Sequence, residues 1–309
     1  MLTKIIKLGR FQFALPVFMV FSCGSLLAVL SSDRLFNITR FIFGYLIFFS
    51  AQLSVQYGNE YFDFDSDRLT IPTFFSGGSK ILRNNENLKI FSKWISICLV
   101  IISVILSVLF VFIFKASVWI IILAIFANLL GWFYSAPPLR FSYRGLGEIV
   151  IMLIIGIILP IAGSVTVSDS LNKEIIVILT PLLSYTAMLS IAVEIPDYEA
   201  DRISGKKNLV SVFGRETGYL LLLAFSSAAF VYFIIIAVLN MIYGSYGFDI
   251  NFILLALVAI PTLVISIFGS IVKPSDRKKI TLFINVVIFS MFFLLFIFNL
   301  HLLILVLSG

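Results

Sequence analysis

The stretch from Ile175 to Lys207 reads IIVILTPLLSYTAMLSIAVEIPDYEADRISGKK. Its first nineteen residues, Ile175–Val193, carry no charge. About 20 consecutive, mostly apolar residues are enough for one helical membrane span. Charged residues then follow closely from Glu194 onward. The pattern predicts a membrane-spanning helix that ends in a strongly charged segment.

The same apolar unit recurs along the whole chain. Of the 309 residues, 61% are hydrophobic and only 12% are charged, against roughly 25% charged in soluble domains. The runs are continuously apolar rather than alternating, which argues against a β-barrel. The sequence therefore predicts an all-α, polytopic membrane protein that forms a single domain over residues 1–309. Its nine predicted spans are Phe11–Ser31, Ile38–Tyr57, Ile95–Phe114, Val118–Phe133, Ile149–Val167, Ile175–Ile195, Tyr219–Tyr243, Phe252–Val272 and Ile280–Val306.

The basic residues of the loops predict the orientation. If the N-terminus and the loops after even-numbered spans share one side, that side holds eighteen Lys and Arg residues. The other side holds only Arg34, Arg40, Lys115 and Lys173. Cytoplasmic loops are enriched in Lys and Arg, so we expect a cytoplasmic N-terminus and an external C-terminus in a cell membrane. The net charge of +6 is thus a topology signal, and no basic segment indicates nucleic-acid binding.

Two acidic clusters follow predicted spans on this cytoplasmic side. Span 2 ends in GNEYFDFDSDR (Gly58–Arg68), and span 6 ends in EIPDYEADR (Glu194–Arg202). Ionisable residues are costly near the acyl region of a bilayer, so a cluster of them there predicts a functional site.

The spacing within each cluster predicts metal binding. Positions i, i+4 and i+8 lie on one face of a helix, which groups Asn59, Asp63 and Asp67 in a first row and Asp197 and Asp201 in a second. Carboxylates one turn apart repel each other, and a cation removes that repulsion. Oxygen ligands without His or Cys favour Mg²⁺ or Ca²⁺, and two facing rows suit two Mg²⁺ ions that bridge one diphosphate. The alternative is that these acids are solvated loop charges.

Three further acids, Glu60, Asp65 and Glu199, lie off these faces. We expect them to be solvated or to support the ligands indirectly. Each cluster is followed by glycine and lysine, in Gly77-Gly78-Ser79-Lys80 and in Gly205-Lys206. Glycine lets backbone amides approach a phosphate, and lysine supplies a positive charge.

A third segment leaves span 4 on the same side and reads WFYSAPPLRFSYRGLGE, from Trp132 to Glu148. The two prolines stop the helix. Tyr134 and Arg140 are then close enough along the chain to reach a diphosphate. Alternatively, Arg140 and Arg144 are cytoplasmic anchors of the topology.

The ordered set of these motifs resembles the UbiA superfamily of membrane prenyltransferases. The resemblance rests on NxxxDxxxD at Asn59/Asp63/Asp67, on DxxxD at Asp197/Asp201, and on nine spans with these loops facing the cytoplasm. It implies helices around a central cavity that opens to the cytoplasmic side. It also implies Mg²⁺ at the two rows and catalytic roles for their four aspartates.

The resemblance further implies the substrates, a polyprenyl diphosphate and an aromatic acceptor. Arg140, Lys206 and either Arg68 or Lys80 would neutralise the leaving diphosphate, with Asn59 and Tyr134 also at the substrate. Residues Phe75–Ser79 and Tyr134–Glu148 are most similar to the menaquinone branch, which prenylates 1,4-dihydroxy-2-naphthoate. Glu194 and Pro196 stand where that branch often has Asn and Arg. For the acceptor carboxylate, Lys80, Arg83 and Arg144 are the candidate partners.

Other functions remain open at this point. Another acceptor, 4-hydroxybenzoate or a lipid alcohol, would fit the same superfamily, and the sequence does not give the donor chain length. An ion-coupled transporter would also use intramembrane carboxylates, although here the acids sit at helix ends beside Lys and Arg. A CDP-alcohol phosphotransferase would require a different acidic motif, which neither cluster contains.

Overall fold

The computed structural model describes residues 2–32, 35–71, 73–170, 175–244 and 250–308. Regular structure within these residues is helical, with short 3₁₀ turns between the longer elements. The twelve helices described are α1 (Leu2–Leu8), α2 (Ala14–Leu30), α3 (Ile38–Phe62), α4 (Phe64–Leu69), α5 (Lys89–Phe114), α6 (Trp119–Ser135), α7 (Gly147–Ser168), α8 (Ile176–Ser204), α9 (Leu209–Phe213), α10 (Arg215–Tyr243), α11 (Phe252–Val272) and α12 (Arg277–Ser308).

The predicted all-α membrane architecture is confirmed. Eight helical segments are long and apolar enough to cross a bilayer, namely α2 together with the 3₁₀ turn before it (Phe11–Leu30), α3, α5, α7, α8, α10, α11 and α12. The predicted fourth span is α6, an apolar helix of 17 residues. Helices α3 and α8 continue beyond the predicted ends of their spans; α3 includes the first part of its acidic cluster, and α8 includes the whole of its own. Two of the four residues assigned to the external side, Arg34 and Lys173, lie outside the described residues.

The outer surface of the bundle is apolar. Large hydrophobic side chains are well exposed on several helices, including Phe112 (78%), Ile271 (75%) and Leu307 (78%). Soluble monomers rarely expose contiguous apolar surface of this kind, because water makes it costly. This surface is suited to contact with lipid acyl chains.

Two glycines let α2 and α7 cross at short range. A Cβ atom on Gly24 would lie 1.9 Å from the carbonyl oxygen of Pro160, and one on Gly163 would lie 2.1 Å from that of Phe21. Small residues allow such close backbone approach between membrane helices, where dispersion contacts replace the hydrophobic effect as the packing force. This crossing is central, because α2 also packs against α12 and α7 also packs against α8.

Serine hydroxyls join α5 to α3. Ser92, Ser96 and Ser103 are fully buried and donate hydrogen bonds to backbone carbonyls of α3 at 2.8, 2.6 and 2.9 Å. Interhelical hydrogen bonds of this kind stabilise helix pairs in the bilayer. They hold α3, the helix that leads into the first acidic row, against a fixed neighbour.

The two acidic helices occupy corresponding places in the chain. Helix α3 follows α2 as α8 follows α7, with an offset of 138 residues between equivalent positions such as Asn59 and Asp197. Positions separated by this offset meet in the structure, because Ser66 Oγ donates to Ser204 Oγ at 3.0 Å. The ends of the two acidic helices therefore lie side by side.

Candidate functional site

The first acidic row bends without losing its helical register. Helix α3 ends at Phe62 and α4 begins at Phe64, with Asp63 between them. The backbone N–H of Asp63 nevertheless donates to Asn59 and that of Asp67 donates to Asp63, both at 2.8 Å. The i to i+4 spacing therefore survives the bend, and all three polar side chains line one cavity.

Asp63 is the most heavily partnered carboxylate of the row. It is 4% exposed and accepts hydrogen bonds from Ser135 Oγ at 2.7 Å and from Tyr143 Oη at 3.0 Å. Lys206 Nζ lies 3.4 Å from its Oδ2. These groups come from three other parts of the chain, so they tie the first row to α6, to the turn after it and to the end of α8.

The second row lies on the unbroken helix α8. Asp197 accepts a hydrogen bond from Ser76 Oγ at 3.1 Å, and the buried Asp201 accepts one from Asn208 Nδ2 at 2.6 Å. Asn208 also caps α9, because its side chain accepts from the Ser211 N–H and the Ser211 hydroxyl accepts from the Asn208 N–H. The cap fixes Asn208 and, through it, one side of Asp201.

Lys206 brings a positive charge between the two rows. Helix α8 ends at Ser204; the next residue, Gly205, has a φ of 79°, which suits glycine, and the chain turns there toward the cavity. Burial alone would lower the pKa of Lys206, but the carboxylates of Asp63, Asp201 and Asp67 hold it well above its usual value. The side chain is therefore a permanent cation among the acids.

Asp67 lies in a site where negative charge accumulates. Burial raises the pKa of Asp67 to about 8; the nearby Lys206 opposes this effect, while Asp63 and Glu60 add to it. Within the described residues, no three His, Cys, Asp or Glu side chains converge closely enough to form a metal site by themselves. A cation shared between the two rows would relieve the repulsion and would need further oxygen ligands from a substrate.

The cavity between the rows has a volume of about 300 Å³, with a polar end and a mostly apolar wall. The acidic rows and Lys206 form the polar end. The remaining wall is mostly apolar, and its members include Phe13, Pro16, Val17, Phe48, Phe75, Ile151, Ile154, Ile155, Ile158, Leu159, Leu189 and Val193. Such a chamber suits a ligand with a charged head and an apolar tail.

The loop after α4 closes over the polar end. Arg10 donates to the backbone carbonyl of Phe75 at 2.8 Å, and Ser76 contacts Asp197 as described. Gly78 has a φ of +70°, and a Cβ atom there would lie 2.4 Å from Asp67 Oδ2. Glycine is therefore required for the loop to approach the first row so closely.

The predicted site residues divide into two groups. All five members of the two rows line the cavity together with Tyr134 and Lys206. The four other basic residues predicted at the substrate, Arg68, Lys80, Arg140 and Arg144, are exposed and do not line it.

Three of these four basic side chains have other contacts. Arg68 lies over the ring of Phe64, and Arg140 lies over the ring of Tyr143. Arg144 donates to the carbonyl of Pro138. Arg140 can still act on the site indirectly, because Tyr143 donates to Asp63.

Among the off-face acids, Asp65 and Glu199 are exposed, as expected for solvated residues. Glu60 is different: it is 5% exposed, lines the cavity and accepts hydrogen bonds from the backbone N–H and the hydroxyl of Ser79. It therefore anchors the loop that carries Gly78, which agrees with the supporting role and not with the solvated one.

The lining also contains polar residues to which the sequence analysis assigns no role at the substrate, namely Arg10, Gln52, Gln56, Ser76, Ser142, Ser190, Glu194 and Asn208. Gln52 and Gln56 lie seven and three residues before Asn59, so helical periodicity could have placed them on its face. No sequence pattern predicts Arg10 at the cavity, because it is far from both clusters in sequence and resembles the other basic residues of the cytoplasmic side.

Comparisons with known proteins agree with this architecture. A sequence model of the UbiA prenyltransferase family matches residues 17–297. A 1,4-dihydroxy-2-naphthoate octaprenyltransferase of Bacillus subtilis (strain 168) is 23% identical over 181 residues, or 59% of this chain. The matched stretch spans 57% of that relative, a little over half its length.

Solved structures show the same fold. A UbiA homolog from Archaeoglobus fulgidus bound to DMAPP and Mg²⁺ superposes with a TM-score of 0.65 and 15% identity, covering 97% of this chain and 98% of that one. A digeranylgeranylglyceryl phosphate synthase in membranes superposes with a TM-score of 0.65 and 17% identity, covering 98% and 99%.

Proposed function

Because this chain belongs to the UbiA prenyltransferase family, we propose that it transfers a polyprenyl group from its diphosphate to an aromatic acceptor within the membrane. The observation that carries the proposal is the meeting of two acidic rows and one largely buried lysine at the polar end of a mostly apolar cavity. The whole chain would form one catalytic domain.

The donor set at the polar end fits Mg²⁺. Asn59, Asp63, Asp67, Asp197 and Asp201 offer hard oxygen atoms, and the lining has no His or Cys among the described residues. Mg²⁺ bound there would supply charge neutralisation for the diphosphate of the donor. The ions in the Archaeoglobus fulgidus homolog support this choice, since its structure contains Mg²⁺ with DMAPP.

The residues of the chain then account for prenyl transfer. The C–O bond of the allylic diphosphate breaks with its electron pair on the diphosphate, whose charge Lys206 helps to neutralise. The rings of Phe13, Phe48 and Phe75 line the cavity, where aromatic faces would stabilise the developing allylic cation. An acceptor ring carbon forms the new bond, and the apolar wall keeps out water that would otherwise trap the cation.

We propose 1,4-dihydroxy-2-naphthoate as the acceptor. The similarity to the Bacillus subtilis relative and the motifs at Phe75–Ser79 and Tyr134–Glu148 support it. Bond formation at the carboxylate-bearing carbon would release CO₂, with the electron pair of the broken bond restoring the aromatic ring. Among the described residues, Arg10 and Lys206 are the two basic side chains lining the cavity, so they replace Lys80, Arg83 and Arg144 as the candidate partners of the acceptor carboxylate.

A side-by-side assay tests the substrates. Purified protein would receive a polyprenyl diphosphate, Mg²⁺ and one of three acceptors: the dihydroxynaphthoate, 4-hydroxybenzoate or a glycerol-based lipid alcohol. We expect the prenylated naphthalene product by mass spectrometry, with stoichiometric release of diphosphate. Product from another acceptor alone would retain prenyl transfer and reject the acceptor. No transfer to any acceptor, with ion flux in vesicles instead, would favour the transporter.

The orientation remains a proposal based on charge, with the acidic rows on the cytoplasmic side. Single cysteines at the exposed positions Lys80 and Leu35 test it in a Cys98→Ser background, since Cys98 is exposed. We expect a membrane-impermeant maleimide to label position 35 and not position 80 in intact cells. The reverse pattern would invert the topology.

A further inference from the structure

Glu194 is a buried carboxylate in the cavity wall that the proposed metal and diphosphate sites do not use. It lies on α8 three residues before Asp197, about one helical turn deeper in the membrane. The residue is only 7% exposed and lines the cavity. Its Oε1 accepts a hydrogen bond from Ser190 Oγ at 2.9 Å, and its Oε2 is buried without a hydrogen-bond partner.

The surroundings of Glu194 do not compensate for this missing partner. The Val210 N–H is close enough to favour the carboxylate but makes no hydrogen bond to Oε2. Glu148, which accepts from the Leu209 N–H, and Asp201 add negative charge nearby. A buried acceptor left unsatisfied is costly, and more so when it is charged. A ligand with a suitable donor would remove that cost.

Gln52 presents a second unsatisfied group to the same cavity. Both its side-chain nitrogen and its side-chain oxygen are buried without a partner, and it lines the wall on α3, two turns deeper than Asn59. It is the positional equivalent of Ser190 under the 138-residue offset. Each of the two acidic helices thus places unpaired polar atoms below its acidic row.

The donor substrate has no use for these groups. Its diphosphate belongs with the acidic rows and Lys206, and its hydrocarbon tail needs only apolar wall. Unpaired hydrogen-bonding atoms within that wall would oppose a bound tail, because they would stay unsatisfied. The remaining reactant is the acceptor, whose ring must lie next to the allylic carbon and therefore just below the diphosphate.

We propose that Glu194 is a specificity-determining residue that accepts a hydrogen bond from a ring hydroxyl of the aromatic acceptor, with Gln52 as a second polar contact. This inference rests on the proposed function. It specifies the orientation of the acceptor, because Glu194 and Glu148 would repel an acceptor carboxylate at this position. An O–H group points toward Glu194, and any carboxylate points away from it, toward Arg10 or Lys206.

Steady-state kinetics of Glu194→Leu and Glu194→Gln test this role. A hydrogen bond to a charged group is strong enough that its loss in Glu194→Leu should raise the acceptor KM about tenfold or more, with the donor KM within about twofold of wild type. Glu194→Gln retains a neutral acceptor and should give a smaller increase. Glu199→Leu is the matched control, since Glu199 is an exposed acid on the same helix.

Methyl ethers of the acceptor provide the complementary change. Each hydroxyl of the dihydroxynaphthoate is methylated in turn, which removes its donor. We expect one ether to lose about tenfold in kcat/KM with wild type but almost nothing further with Glu194→Leu, because both changes delete the same hydrogen bond. Independent, multiplicative losses for both ethers would overturn the assignment.

Thermal stability separates this role from a structural one. If Glu194 only supports α8 and α9, Glu194→Leu lowers the melting temperature and leaves the acceptor KM unchanged, which overturns the proposal. Equal shifts in donor and acceptor KM also overturn it. Wild-type protein that prenylates no hydroxylated ring refutes the proposed function itself, and this outcome is visible before any variant is made.

Discussion

The two acidic rows carry similar side chains in different settings. The first row crosses a bend between two helices, and its Asp63 is held by Ser135, Tyr143 and Lys206. The second row lies on one continuous helix, and Ser76 provides the one side-chain hydrogen bond that the described residues make to Asp197. The protein itself therefore pairs the carboxylate of Asp63 in the first row, whereas Asp197 in the second row depends more on a ligand bound in the cavity.

This difference predicts that the two rows contribute alike to turnover but unequally to the stability of the fold. Both rows face the same cavity, so both should be required for turnover. Of Asp63 and Asp197, Asp63 is the one that forms an ion pair with a described residue, and the Lys206 and Asp63 side chains are 15% and 6% exposed. Its removal should thus have a structural consequence that removal of Asp197 lacks.

The largest expected effect is the loss of turnover. Asp63→Ala and Asp197→Ala should each lower kcat/KM at least about a hundredfold, as loss of a group that stabilises transition-state charge does. Product formation by mass spectrometry is the measurement, with folding checked by size-exclusion chromatography. Asp65→Ala, an exposed neighbour of the first row, is the control and should retain activity. Near-normal turnover of both row variants would remove the metal-diphosphate site.

Stability should distinguish the same two variants. Asp63→Ala removes the ion-pair partner of Lys206 together with the acceptor of the Ser135 and Tyr143 hydroxyls, so it should cost roughly 3 kcal/mol. Asp197→Ala should leave the melting temperature near that of wild type. The double variant Asp63→Ala/Lys206→Met removes both charges and should recover much of the stability without recovering turnover. Equal melting temperatures for the two single variants would show that the rows do not differ in this way.

The two rows should contribute equally to stabilisation of the protein by a bound ligand. A ligand at 100 times its Kd stabilises a protein by about 2.7 kcal/mol, and Mg²⁺ with inorganic diphosphate should therefore raise the melting temperature of wild type. We expect Asp63→Ala and Asp197→Ala to lose this increase, and EDTA to abolish it in wild type. A persistent increase in one row variant would mean that the other row alone binds the ligand.

Much of this arrangement was predictable from local sequence patterns. Apolar runs located the spans, and the i, i+4 spacing located the two rows, because both depend on residues near one another in the chain. Lys206 was identified because it directly follows the second row. Partners such as Tyr143 and Ser76 were not, because their contacts with Asp63 and Asp197 depend on how distant loops fold back over the cavity.

The four exposed basic residues show that a residue close to a motif in sequence need not line the cavity. Arg68 follows Asp67 directly, but successive helical residues point about 100° apart, so neighbours in sequence face different directions. Arg140 and Arg144 contact their own turn at Tyr143 and Pro138 instead. Glu60 shows the opposite case, because the loop after α4 folds over it and makes it buried. Their functional roles remain predictions.

The smallest effect concerns the hydrogen bonds around the rows. Ser76→Ala removes the one side-chain donor to Asp197 and should raise the Mg²⁺ concentration for half-maximal activity about fivefold, which is the value of one hydrogen bond near 1 kcal/mol. Ser135→Ala removes one of three partners of Asp63, and Tyr143 and Lys206 should limit the change to less than about twofold. Ser270→Ala is the control, because the Ser270 hydroxyl donates to the carbonyl of Ile267 on its own helix and Ser270 does not line the cavity. Titrating activity with Mg²⁺ at saturating substrates measures all three variants. A larger change for Ser135→Ala than for Ser76→Ala would reverse the comparison, because it would make the heavily partnered row the more easily disturbed one.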